Sequence, residues 1–102
     1  MIFTRFYRTS GRAFYYKLVR RDDNYIWDDV SKALVETPTW VNSAIAVTEI
    51  TDTGIYPIII PDDLPNGVTY DVVVFIQKNA APIVTDEVDS GYVLKYGSIF
   101  GF

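Results

Sequence analysis

Apolar and polar residues alternate along much of this chain with the two-residue period of a β-strand. The longest such run is Val68 to Gln77. Val68, Tyr70, Val72, Val74 and Ile76 share one face, which is uniformly apolar and is expected to look into a core. Thr69, Asp71, Val73, Phe75 and Gln77 share the other; Val73 and Phe75 there must be covered by neighbouring chain or by a partner. Ile55 to Ile60 is a second run rich in β-branched residues. Pro61 to Gly67 separates the two, and its Asn66-Gly67 pair is the strongest turn signal in the chain. The stretch Gly54–Gln77 therefore reads as a hairpin.

The remaining elements follow from the same pattern. Ala13 to Arg20 is a strand with Phe14, Tyr16 and Leu18 on one face and Tyr15, Lys17 and Val19 on the other. Arg21-Asp22-Asp23-Asn24 supplies turn chemistry, and Tyr25 to Asp28 returns as a short strand. Asp29 to Val41 is the least regular part, with Val30 to Glu36 readable as a helical turn or a loop. Thr37-Pro38 has the form of a helix N-cap followed by proline, and a single turn there is expected to carry Trp40 into the core. Ser43 to Ile50 reads as a strand, and Thr51 to Gly54 as a turn. Lys78 to Gly91 is a long acidic connection with room for an edge strand at Ile83 to Thr85, and Tyr92 to Tyr96 is the closing strand. Met1 to Arg12 is either a first strand or an arm that orders against a partner.

About seven short strands and no long helix predict an all-β fold: an antiparallel immunoglobulin-like β-sandwich, with a small β-barrel as the alternative. The expected organisation is a basic aromatic arm over residues 1–12, a sandwich over 13–97 and an aromatic tail over 98–102.

Composition narrows the chemistry. The 102 residues make one domain. A hydrophobic share of 49% is high for a small acidic chain, which places part of the apolar surface on contact faces. There is no Cys and no His. That removes disulfides, thiolate metal sites and Ser–His or Cys–His nucleophilic chemistry. The adjacent carboxylates Asp22-Asp23, Asp28-Asp29, Asp62-Asp63 and Asp86-Glu87 are turn formers, because neighbours on a strand point to opposite faces. The Thr85 to Gly91 segment does not fit an EF-hand loop, and no Gly-rich phosphate loop is present. A protein that is not an enzyme, with no cofactor and no metal, is expected. Met1 to Ser10 has neither the apolar core nor the cleavage site of a signal peptide, and no membrane partner is expected.

Charge is distributed unevenly. Residues 1–21 hold six cations and no carboxylate, while the other 81 residues hold three lysines and all 13 carboxylates. A basic edge solvated beside an acidic body accounts for this; so does attraction between copies or to an acidic partner. The acidic body argues against nucleic acid.

Several fragments then fall into a recognisable order: Tyr25-Ile26-Trp27, Trp40, Ala46-Val47-Thr48-Glu49, Gly54-Ile55-Tyr56, Pro61, Leu64-Pro65-Asn66-Gly67, Thr69-Tyr70-Asp71-Val72, Thr85-Asp86 and Gly91-Tyr92. Over about Tyr15 to Gly97 the chain resembles a small immunoglobulin-like domain recurrent in bacteriophage and prophage structural proteins of the baseplate, fibre or capsid-decoration type. It departs from that pattern at Thr69, where a tighter spacing is usual, and at Lys95-Tyr96-Gly97, where Trp-Asp-Gly is common. The resemblance implies a virion structural protein, a decoration or a tail, neck or fibre adaptor, assembled in the host cytoplasm through contacts with other virion proteins and with copies of itself. It brings no catalytic residues.

The aromatic and basic ends lie outside the family-like region. Phe3, Arg5, Phe6, Tyr7, Arg8 and Arg12 at one end, and Phe100 and Phe102 at the other, are therefore the candidate partner-binding residues. Trp27, Trp40 and eight tyrosines support the alternative of a module that recognises a host glycan.

Overall fold

The computed structural model describes residues 1–97. Phe100 and Phe102 lie outside them. The described residues form eight strands: β1 (Ile2–Tyr7), β2 (Phe14–Arg20), β3 (Ile26–Asp28), β4 (Ala33–Val35), β5 (Ile45–Val47), β6 (Ile55–Ile59), β7 (Val68–Ile76) and β8 (Val88–Tyr96). All pairings are antiparallel. One sheet has the order β4-β3-β2-β7-β8, with β5 also pairing with β2; the other consists of β1 and β6. The fold is an antiparallel β-sandwich, not a closed barrel.

The core forms where the two sheets face each other. Phe14, Tyr16 and Leu18 of β2 and Tyr70, Val72 and Val74 of β7 meet Phe6 of β1 and Tyr56 and Ile58 of β6. For β7 this is the face that strand alternation predicts. Phe6 stacks on Tyr56, its cross-strand neighbour, with ring centroids 5.3 Å apart, and Phe14 approaches both rings edge-on. Buried tyrosine hydroxyls are satisfied by backbone: Tyr16 donates to the Ile59 carbonyl and Tyr70 to that of Pro65.

The predicted hairpin over Gly54–Gln77 does not form. Its two strands exist, but β6 pairs with β1 while β7 pairs with β2 and β8. Pro61 to Gly67 therefore crosses from one sheet to the other. The reason is side-chain demand: Tyr56 needs the apolar face of Phe6, and Val72 and Val74 need that of β2.

Residues 1–12 are not a detached arm, because β1 supplies half of the smaller sheet. Phe6 is only 3% exposed, so its ring belongs to this core rather than to a partner. Ala33–Val35 forms strand β4 against β3 rather than a helical turn. The turn carrying Trp40 is capped by Thr39, not Thr37: Asn42 N–H donates to the Thr39 hydroxyl and Ser43 N–H to its carbonyl. Trp40 accordingly sits outside the main core, half-buried. Ser43–Ile50 is ordered as a strand only over β5. The closing strand is longer than expected and begins at Val88, while Ile83–Thr85 is not a strand.

Candidate functional site

The outer face of the larger sheet, the one turned away from β1 and β6, is built from three cross-strand rows. Tyr15 lies opposite Phe75, Lys17 opposite Val73, and Val19 opposite Asp71; on the far side of β7, Gly91 and Val93 continue the second and third rows. A sheet face with this many apolar residues must be covered. One end of it is covered by the chain itself.

At the covered end, Tyr15 stacks on Phe75 at 5.2 Å and Trp40 meets Phe75 edge-on at 5.2 Å. Trp40 Nε1 donates to the Tyr15 hydroxyl (3.0 Å), which donates to Asp86 Oδ2 (2.7 Å). Asp86 also accepts the Ile83 N–H, at 2.9 Å. That backbone bond, followed by the Tyr15 hydroxyl, holds the Asp86 carboxyl below the ordinary range. Burial and the bond to Asp86 push Tyr15 up to about 12.

Lys17 is the unusual member of this cluster. It is 5% exposed, and its ammonium sits 3.3 Å from the centroid of the Trp40 ring. It donates to the Trp40 carbonyl (2.9 Å) and to Ser43 Oγ (2.6 Å). No carboxylate pairs with it among the described residues. Desolvation lowers its pKa to about 8. The indole face and the two oxygens replace water around the charge. This arrangement ties the Thr39–Ser43 turn to the sheet and was not foreseen from sequence. The available signal was a lysine on the outer face of a strand, flanked at i−2 and i+2 by Tyr15 and Val19.

Beyond Lys17 the face opens. Val19, Asp71, Val73, Gly91, Tyr92 and Val93 line a shallow groove of about 430 Å³. Gly91 contributes no side chain opposite Val73 and leaves a notch there. The exposed Arg21–Asp71 ion pair (2.9 Å) stands at the rim. The lining is mainly apolar with charge at the edge, the anatomy of a contact surface.

The predicted partner-binding residues are scattered. Phe3 is half-buried and touches Tyr92 edge-on at 6.4 Å. Arg8 is engaged by Asp89, with Nη2 to Oδ2 at 2.7 Å and Nε to Oδ1 at 3.1 Å. Arg12 is exposed, and its backbone N–H donates to the Tyr56 hydroxyl. Arg5 and Tyr7 are exposed on β1. Within the basic segment, Arg8, Arg20 and Arg21 pair with Asp89, Asp23 and Asp71, while Arg5 and Arg12 make no ion pair among the described residues. Much of the charge asymmetry is thus neutralised inside the chain.

No family model, curated protein or solved structure matches this chain. Its function must be read from its own surfaces. A second groove, of about 610 Å³, carries Asp29, Asp62 and Asp63. No cluster of three or more metal-capable side chains exists among the described residues. Among those residues every buried side-chain nitrogen and oxygen already has a partner.

Proposed function

We propose that this protein is a non-enzymatic structural or adaptor component of a bacteriophage particle, held in place by protein–protein contacts. The observation that carries the binding part of this reading is the open apolar groove beside the Trp40–Lys17 cluster, with Val73 and Val93 at its centre. The phage assignment rests on the sequence motifs from Tyr25 to Tyr92. Sandwich domains suit such a role because a rigid scaffold holds contact faces at fixed spacing.

Glycan recognition is less well supported. Trp27 is 1% exposed and one face of Trp40 is occupied by the Lys17 ammonium, so neither indole offers the open ring that sugar stacking needs. Tyr7, 66% exposed, is the aromatic left for that role among the described residues.

Quantitative mass spectrometry of purified particles from the source virus tests the reading. A copy number close to that of the major capsid protein indicates head decoration or tail sheathing, and a much lower one indicates the neck, baseplate or fibre. Absence from the particle overturns the assignment, and titration with host surface polysaccharide then becomes the deciding measurement.

A further inference from the structure

The two edges of the small sheet are unequal. Arg8 N–H donates to the Gly54 carbonyl at 3.0 Å. Hydrogen-bonded pairs alternate along an antiparallel ladder, so Phe6·Tyr56 and Thr4·Ile58 are the other bonded pairs. The backbone groups of Arg5 and Tyr7 therefore point away from β6, and those of Ile55, Pro57 and Ile59 point away from β1.

On the β6 side that edge is mostly taken, and the Pro57 carbonyl and the Ile59 N–H alone lack a partner among the described residues. The Ile55 carbonyl accepts from Ile50 and its N–H donates to Thr53 Oγ1. Pro57 has no N–H to offer. The Ile59 carbonyl accepts the Tyr16 hydroxyl. On the β1 side only the Tyr7 carbonyl is taken, by Arg8 Nη1 at 2.7 Å. The N–H and C=O of Arg5 and the N–H of Tyr7 have no partner among the described residues.

Side chains indicate what fits there. Arg5 is exposed and makes no ion pair among the described residues, and Tyr7 next to it on the same face is exposed as well. An antiparallel pairing of β1 with a second copy through its outward-pointing backbone groups sets Arg5 against Arg5 in the register that bonds the Arg5 N–H and C=O, which like-charge repulsion disfavours. We infer that the free edge of β1 receives an extended, acidic segment of a partner protein, which adds a third strand to the small sheet with a carboxylate beside Arg5 and an apolar residue beside Tyr7. The inference rests on the reading that this protein works by binding protein, and it names the mode of contact.

The test is an amide NMR titration of the full chain with two blocked seven-residue peptides, Thr-Val-Thr-Glu-Thr-Val-Thr, which sets glutamate and valine two apart on one face, and the same peptide with lysine in place of glutamate. The expected result is saturable binding of the acidic peptide that moves the Arg5 and Tyr7 amides and is at least about ten-fold tighter than binding of the basic one. Arg5→Pro removes the outward N–H while leaving the bonds to β6, as Pro57 does on the opposite strand, and abolishes binding. Arg5→Glu reverses the peptide preference and serves if the proline variant does not fold. No saturable binding of the acidic peptide, shifts mapping to the β7–β8 face, or binding unchanged by both substitutions overturns the inference. In particles, loss of Arg5→Pro with retention of the wild type supports the edge. Retention of both overturns the edge alone and leaves the assembly reading standing. A particle without the wild-type protein overturns the assembly reading, and the titration still decides the edge.

Discussion

Arg8 and Asp89, 81 positions apart in the chain, close a bidentate ion pair between the end of β1 and the start of β8. The pair joins the two sheets, as the Phe3–Tyr92 ring contact does further along the same strands. Its partners are unequally exposed: the Arg8 side chain is 35% accessible and that of Asp89 10%. Partial solvation limits its strength to about 1 kcal/mol or less. A double-mutant cycle on Arg8→Ala and Asp89→Asn, read by urea unfolding, is expected to give a coupling of that size that shrinks in high salt. No coupling means that the contact is idle.

Phe6 is a core residue in a segment whose composition suggests an interaction arm. Phe6→Ala removes a ring stacked on Tyr56 and edge-on to Phe14, with an expected cost of about 3–5 kcal/mol. Deleting residues 1–12 removes β1 altogether and exposes the core side of Tyr56, so the truncated chain is expected to lose cooperative unfolding. A cooperative thermal transition in that variant, with native near-UV circular dichroism, contradicts the packing described.

Lys17 makes stability depend on alkaline pH in a defined direction. Its folded pKa is about 8, below its ordinary value of 10.5, so between these values the unfolded chain holds a proton that the folded one has released. Stability therefore rises with pH over that interval. Above about pH 10 the tyrosines oppose the trend, because burial holds Tyr15 and Tyr70 near 12 and they stay protonated in the folded state while ionising in the unfolded one. Urea midpoints at pH 7.5 and 9.5 are expected to show the rise. Lys17→Met is expected to abolish it and to be neutral or stabilising at pH 7, since an apolar side chain avoids the desolvation of a buried charge. A wild type whose midpoint stays flat or falls places the ammonium in a wetter setting than its contacts indicate.

Gly54 is held at a φ of +73°, and a Cβ there would lie 2.5 Å from the Arg8 carbonyl oxygen. The turn needs the left-handed conformation, and the approach to β1 needs the missing side chain. Gly54→Ala is expected to destabilise by about 1–3 kcal/mol and to speed hydrogen exchange at the Arg8 amide. Substitution without either effect argues against this β1–β6 register.

Val93 sits in the open groove and is 44% exposed. Val93→Lys is expected to change folding stability by no more than about 0.5 kcal/mol. The same substitution is expected to lower incorporation into particles if the outer face is the contact. Normal incorporation with unchanged stability moves the contact elsewhere on the molecule.

The sequence by itself determined the class of fold and the inward face of β7. Strand alternation is local, so Tyr70, Val72 and Val74 were readable as core without knowing what they face. It also showed that Phe75 needs a cover. What no local pattern carries is the choice of partner strand. A turn signal at Asn66-Gly67 joins two strands that tertiary packing sends to different sheets, where Tyr56 stacks on Phe6 and β7 lies between β2 and β8. The same holds at the surface. Only the folded chain brings Asp89 to Arg8, the Trp40 ring to Lys17, and Tyr16 to the outer edge of β6. Each of these depends on contacts between residues far apart in the chain, and none of them leaves a periodic trace in it.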